Sequence, residues 1–406
     1  MISSIEAIRQ AYLTADIPGV GGVIKETPED FRVEEIPAYQ PCGSGSHLYL
    51  RIEKTGITTL EAVRRMAQSF RIAERDVGYA GMKDAVGVTV QTVSLPGVSP
   101  ESAAGLDIKG IRILSADRHN NKLKLGHLRG NCFRIAVRGV AADAAQRTEA
   151  ILERLSAAGV PNWFGIQRYG IQANSHLIGA AMLRGDWREA AERLIGQPGA
   201  VNDAQWRSAI QAFHDGDIGG ALQLMPGYCR IERDLLQRLL QRPDAWEKAF
   251  NAVNPRLKRL YLSAFQSSLF DRVVEMRLPL LGQLQQGDIA FKHENGACFL
   301  VDDAALEQQR ADAFKISPTG PMFGCKMKQP QGEAWEMERQ VLAGAGVQSE
   351  CLASAGPLHL DGERRPLRVP LANASFKVEG DTLLLEFSLP RGSYATAVVR
   401  EFTKNT

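Results

Sequence analysis

Strand-like periodicity occupies both ends of this chain, and a helical texture fills much of the middle. At the front, "HLYLRIE" (His47–Glu53) puts Leu48, Leu50 and Ile52 on one face at period two, the pattern of a half-buried strand. At the back, "LRVPL", "ASFKVEG" and "TLLLEFSLP" also read as strands. From about Asn174 to about Phe250 the pattern is mostly helical, rich in Ala, Arg, Leu and Gln. A chain of 406 residues exceeds one ordinary core, so two domains are expected. The texture points to an insertion: both ends build one sheet-based domain, and a second domain interrupts it.

Local signals fill in this outline. "TTLEAVRRMAQSF" reads as a helix, with Thr58 and Glu61 as a capping box and Leu60, Val63, Ala67 and Phe70 as its apolar stripe. "VGVTVQTVSL" and "NCFRIAVRGV" are β-branched strands, and "AADAAQRTEAILERLSAAG" is a helix ending at Gly159. Arg256–Leu278 reads as one long helix, and strand and turn signals return from Gly282 to Leu306. Ala343–Gly362, rich in small residues, is a candidate boundary. The closing "SYATAVVREF" reads as a helical turn capped by Ser393.

The totals exclude several classes. Net charge is only +2, so nucleic-acid binding must rest on a local patch. No apolar run reaches 18 residues, so no membrane span is expected. The first residues lack the basic-then-apolar pattern of a signal peptide, so a cytoplasmic location is expected. Cys42, Cys132, Cys229, Cys298, Cys325 and Cys351 are scattered, with no C-x-x-C pair, and read as reduced thiols serving mostly in packing. They suggest no metal site. There is no Walker-type phosphate loop, and "CGSGSH" has two glycines where a dinucleotide fingerprint needs a third, so no nucleotide cofactor is implied.

Four segments carry candidate chemistry. Between Ile111 and Arg138 stand Arg112, Arg118, Lys122, Lys124, Arg129, Arg134 and Arg138 against one acid, Asp117, with histidines and asparagines interleaved. Such a stripe can track a phosphate backbone; the ordinary alternative is a solvated hairpin face. "PNWFGIQRYG" (Pro161–Gly170) sets flat rings beside an amide and an arginine, suited to stacking on a base and reading its edge, or else to core packing at a domain junction. "KETPEDFRVEEIP" (Lys25–Pro37) carries Phe31, Val33 and Glu35 on one face and reads best as an acidic edge strand. "GYAGMKDAVGVTVQ" (Gly78–Gln91) places Lys83–Asp84 alone among glycines and apolar residues. No second acid stands near Asp84 in sequence, and Lys83 favours its ionised form. A carboxylate on such a turn serves as a nucleophile or base, or simply bonds its own backbone.

Taken together and in this order, these segments resemble the TruD-type tRNA pseudouridine synthases over nearly the whole chain. "GYAGMKDAVGVTVQ" resembles the family's A-G-x-K-D motif, "RHNNKLKLGHLRGNCFRI" its basic strand motif and "NWFGIQRYG" its N-[FY]-F-G-x-Q-R-F-G motif. "FRVEEIPAYQPCGSGSHLYLRIEKTGITT" and "LPRGSYATAVVRE" resemble its two terminal signatures, and "SAFQSSLFDRVV" and "SPTGPMFG" resemble parts of its inserted domain. The chain departs from the pattern at Tyr169 and Tyr394, where Phe is usual, and at "AVGV" after Asp84, where many members carry basic residues.

The resemblance implies an α+β fold: a mixed, mainly antiparallel sheet with flanking helices in residues 1–174 and 356–406, interrupted by an inserted α/β domain in 175–355 that walls an RNA cleft. It implies conversion of one uridine in tRNA, at position 13 in bacterial members, to pseudouridine without cofactor or metal. Asp84 is the implied catalytic residue. Phe31 and Tyr394 are implied to stack on the uracil, Asn162 to contact the substrate, and Phe164 is the next motif aromatic. Lys83 keeps Asp84 charged or meets phosphate. Arg118, Lys122, Lys124 and Arg129 are the candidate RNA contacts within the stripe. The expected partner is tRNA, with no membrane, and a monomer is favoured.

Overall fold

The computed structural model of the chain describes residues 11–83, 85–348, 352 and 360–405. They form two compact units, Tyr12–Val160 with Val369–Thr406, and Pro161–Arg368. In chain order the strands of the front segment are β1 (Gly21–Ile24), β2 (Phe31–Pro37), β3 (His47–Thr55), β4 (Gly78–Tyr79), β5 (Val88–Pro96), β6 (Ile111–His119) and β7 (Leu128–Val140). Its helices are α1 (Thr59–Ser69), α2 (Pro100–Ala103) and α3 (Ala144–Ala158). The chain leaves the unit within β8 (Val160–Pro161).

The second unit begins with seven helices: α4 (Ser175–Arg184), α5 (Trp187–Ile195), α6 (Ala204–His214), α7 (Ile218–Leu224), α8 (Arg230–Gln241), α9 (Trp246–Asn251) and α10 (Pro255–Arg277). A small sheet follows, from β9 (Ile289–Lys292), β10 (Cys298–Leu300), β11 (Ile316–Met322) and β12 (Glu363–Pro366), in the order β10-β9-β11-β12. Two more helices, α11 (Ala304–Asp312) and α12 (Gly332–Gly344), lie between its strands in sequence. Helix α10 is buried along most of its length and packs on α4, so closely that a Cβ on Gly179 would lie 2.3 Å from the Tyr261 carbonyl oxygen. Buried ion pairs Arg277–Asp288 (2.8 Å) and Arg364–Glu338 (2.7 Å) reinforce this unit. The chain returns within β13 (Arg368–Val369) to the first unit and ends with β14 (Ala372–Glu379), β15 (Thr382–Pro390) and α13 (Ala395–Thr403).

The strands of both chain ends share one sheet of nine, ordered β14-β15-β7-β2-β5-β3-β6, with β1 beside β7 and β4 beside β5. Among the described strands of this sheet only β2 and β5 run parallel; the other neighbours are antiparallel. The fold is α+β, as expected. The long β7 joins the two ends: it takes β15 from Gly130 to Arg138 on one side and β2 from Leu128 to Ile135 on the other.

Three local expectations need correction. First, β2 is not an edge strand but lies between β7 and β5. Its charges misled because they are paired across strands: Arg32 with Glu53 (2.8 Å) and Glu34 with Arg51. Second, the Thr58 cap forms, its side chain accepting from Glu61 N (3.2 Å), but the Glu61 carboxylate turns to Arg65 (2.8 Å). The buried face of α1 is Thr59, Ala62, Val63, Met66 and Ala67, while Leu60 is 57% exposed. Val63 and Ala67 of the expected stripe are buried and Phe70 packs against the same core; Leu60 alone turns out, and the Thr59 hydroxyl is held inside by Gln91 and Lys83. Third, the residue capping α13 is Tyr394, not Ser393, and no side chain caps its amides. Of the five described cysteines only Cys229 is buried, so packing is not their common role; Cys351 lies outside the described residues. Much of the candidate boundary Ala343–Gly362 lies outside them as well.

Candidate active site

The segment between β4 and β5 is fastened at both ends. On its near side, Ala80 O accepts from Gly126 N (2.8 Å), and a Cβ on Gly78 would lie 2.3 Å from Leu123 O. Lys83 N then donates to Thr59 Oγ1 (2.8 Å), and Lys83 O accepts from Thr59 N (3.3 Å), so the start of α1 holds that peptide. On its far side Gly87 adopts φ +123°, and a Cβ there would meet Phe31 O at 2.4 Å. Only glycine fits that conformation and approach. Asp84 lies outside the described residues; the residues bracketing it are pinned to β2 and α1.

The Lys83 side chain points into the sheet. Its ammonium donates to Asn131 Oδ1 (2.5 Å) and lies 3.8 Å from Glu35 Oε2. Glu35 on β2 and Asn131 on β7 are direct cross-strand partners, so the interior position of β2 creates this socket. The Glu35 side chain is only 2% exposed. Burial pushes the Glu35 carboxyl up, opposed by the charge of Lys83. Burial likewise pulls the Lys83 ammonium down, opposed by the charge of Glu35. Glu35 Oε2 and Gln91 Nε2, an acceptor and a donor, are buried without a hydrogen bond among the described residues. Such atoms are few in folded proteins. The sequence reading missed Glu35 as a partner, because nothing local links it to Lys83.

Phe31, at the start of β2, lies under the Lys25 ammonium (4.4 Å to the ring centroid) and meets the edge of Phe133 (6.4 Å). Tyr394 is 38% exposed at the start of α13.

Asn162 and Phe164 belong to the unit Pro161–Arg368, where they form their own constellation. Asn162 Nδ2 donates to Pro366 O (2.8 Å), and Arg365 Nη2 donates to Asn162 Oδ1 (2.6 Å). The Arg365 guanidinium also lies over the Phe164 ring (4.3 Å), which meets the Arg168 guanidinium (5.6 Å) and the edge of Phe270 (5.7 Å) as well. Asp271 accepts from Phe164 N (3.0 Å) and from Tyr169 OH (2.7 Å), which gives the extra hydroxyl of Tyr169 its partner. Trp163 and Tyr169 are core residues. Arg365 is a second residue the sequence did not signal, being remote from Asn162 in the chain.

The basic stripe divides in two. Arg112 and Arg134 are paired with Glu53 (2.7 Å) and Glu386 (3.2 Å) from neighbouring strands, and Arg138 with Asp30 (2.6 Å) in the turn just before β2. The Arg138 guanidinium holds the Asp30 carboxyl below its ordinary range. Of the four candidate RNA contacts, Arg118 Nη1 donates to Gly45 O (3.1 Å) and Lys122 Nζ to Arg75 O (2.6 Å). Lys124 and Arg129 have no ion-pair partner among the described residues. No group of three His, Cys, Asp or Glu side chains is placed to hold a metal ion among the described residues.

Residues 7–402 match the family model described as tRNA pseudouridine synthase D (TruD). The chain is 60% identical over 393 residues to the tRNA pseudouridine synthase D of Geobacter metallireducens, covering 97% of each chain. It is 59% identical over 394 residues to that of Geotalea daltonii, covering 97% of this chain and 99% of the relative. Among solved structures it is similar to the crystal structure of the Methanosarcina mazei protein assigned to tRNA pseudouridine synthase D (TruD). The TM-score there is 0.85 and the identity 26%, over 97% of this chain and 96% of that one. A match of this length, with relatives this similar end to end, means that the chain belongs to the tRNA pseudouridine synthase D (TruD) family.

Proposed function

We propose that this protein isomerises a uridine in tRNA, at position 13, to pseudouridine, acting as a cytoplasmic monomer without cofactor or metal. The observation carrying this reading is the end-to-end family match, which includes the segment around Lys83–Asp84. In the reaction the N1–C1′ bond breaks, the uracil turns, and C5 bonds to C1′; C5 loses its hydrogen to solvent and N1 gains one. The target base leaves its stack at a cost of a few kcal/mol; Phe31 and Tyr394 hold it by stacking, and Asn162 and Phe164 are the further substrate contacts. Asp84 supplies the carboxylate, as nucleophile at C6 or C1′ or as base at C2′. The buried socket of Glu35 and Asn131 supports this role, because a fixed Lys83 constrains the peptide that leads into Asp84. The catalytic domain spans 1–174 and 356–406, and the inserted domain 175–355.

The test is tritium release from tRNA carrying 5-tritiated uridine, with the parent protein and Asp84→Asn in parallel. Release by the parent and none by the folded variant is expected. If both bind tRNA and neither releases tritium, the chain is an RNA-binding protein rather than an enzyme. Release by both means that another group does the chemistry.

A further inference from the structure

The loop half of the basic stripe borders a recess in the sheet-based unit that the proposed chemistry does not use. It has a volume of about 680 Å³ and lies where the β2–β3 and β6–β7 connections meet, lined by Tyr39, Gln40, His119, Lys122, Lys124 and His127 among others. That size is within the range of about 300–1,000 Å³ usual for small-ligand sites. Among the described residues no carboxylate lines it; Glu34, Glu35 and Asp117 line the adjoining recess that shares Tyr39, Gln40 and His127. The arginines further along the same strands are taken up by carboxylates, whereas Lys124 has no ion-pair partner among the described residues, and Lys122 is held by a backbone carbonyl and not by a carboxylate.

Tyr39 is a prepared stacking surface. Its ring lies flat against His119 (centroids 5.1 Å apart, 24° between planes), and His119 in turn meets Tyr49 (4.8 Å). The Tyr39 hydroxyl is 2.8 Å from His127 Nδ1 and 3.3 Å from the Tyr49 hydroxyl, which donates to Asn121 O (2.9 Å). The donors agree when His127 Nδ1–H donates to Tyr39, Tyr39 to Tyr49, and Tyr49 to the carbonyl. The ring is thus held at its tip and on one face, yet 36% of the residue stays exposed. A fixed aromatic face, a carboxamide and uncompensated ammonium groups together suit a flat ring that carries a phosphate.

We propose that this recess binds an unpaired nucleotide of the RNA substrate other than the reacting uridine, with the base stacked on Tyr39 and the phosphate at Lys124. This rests on the tRNA reading above and adds a named subsite to it. Tyr39→Leu removes the ring and keeps apolar bulk; Tyr39→Phe keeps the ring and loses the hydroxyl; Lys124→Ala removes one charge. Binding of unmodified tRNA is measured by filter retention across a salt series, and turnover by tritium release.

Tyr39→Leu is expected to weaken tRNA binding about tenfold or more, with the slope of affinity against salt unchanged. Tyr39→Phe should stay near the parent. Lys124→Ala should lower that slope by about one phosphate contact. For both weakened variants KM rises and kcat holds. Photo-crosslinking of 5-bromouridine-substituted tRNA should attach to Tyr39. The proposal is overturned if Tyr39→Leu, folded by circular dichroism, binds like the parent, or if Tyr39→Phe weakens binding as much as Leu does. Should Tyr39→Leu not fold, an unchanged salt slope in Lys124→Ala together with no crosslink at Tyr39 overturns it. A parent that binds tRNA but releases no tritium defeats the catalytic reading alone, since the binding arms do not depend on turnover.

Discussion

Lys83 keeps its place through a carboxylate and an amide that stand far from it in the chain. Because burial pulls the Lys83 ammonium down and Glu35 opposes that pull, Glu35→Gln should let Lys83 lose its proton at lower pH. The alkaline limb of kcat/KM for tritium release should then move to lower pH, while tRNA affinity near neutrality changes little. A loss of rate that is uniform across pH would mean Glu35 only packs. Arg365 makes a parallel case in the other unit. It donates to Asn162 Oδ1 and covers the Phe164 ring, two tasks suited to a planar guanidinium and not to an ammonium. Arg365→Lys should lower kcat/KM about tenfold or more, the scale of one charged hydrogen bond; parental turnover by this variant would remove Arg365 from the site. Neither residue was legible from sequence. Asn162 and Phe164 stood out because they share one short motif, whereas Glu35 and Arg365 reach their partners only through pairing between distant strands or close approach of distant segments.

At the scale of elements, the periodic signals located strands and helices well, and failed where a polar side chain set the orientation. For β3 the alternation alone was enough, and Leu48, Leu50 and Ile52 are all buried. For α1 the apolar stripe held at Val63, Ala67 and Phe70 and failed at Leu60, where Thr59, a polar residue, is buried instead to hold Lys83 and Gln91. The orientation is testable by stability. Met66→Ala empties a site in the core beside β3 and β5 and should cost about 2–5 kcal/mol. Leu60→Ala alters an exposed position and should change stability by no more than about 0.5 kcal/mol. Urea unfolding of both variants decides it, and a larger loss at Leu60 than at Met66 would restore the original stripe. For β2 the missing information was the partner charges on β3, which make an acidic strand acceptable in the middle of a sheet.

Across the whole molecule, the interruption was visible in the sequence because period-two segments stop and then resume. What spacing could not reveal was that β15 returns to pair with β7 along its length. That pairing needs the chain to leave and rejoin the first unit without dragging the sheet apart. The second unit meets this demand with its own ends: Asn162 N donates to Leu367 O (2.9 Å), so its first and last residues lie side by side. Units with adjacent termini and separate cores are able to fold alone. The fragment Pro161–Arg368 should therefore be helical by circular dichroism and melt cooperatively. Its complement, residues 12–160 joined through a short Gly-Ser linker to 369–405, should keep slow amide exchange in β7 and β15. It should release no tritium from tRNA, because Asn162, Phe164 and Arg365 have gone with the unit Pro161–Arg368. Rapid exchange throughout β7 would show that the sheet depends on the inserted unit for its stability. Tritium release by the complement would show that those three residues are dispensable, and would confine the chemistry to the sheet and the segment around Lys83.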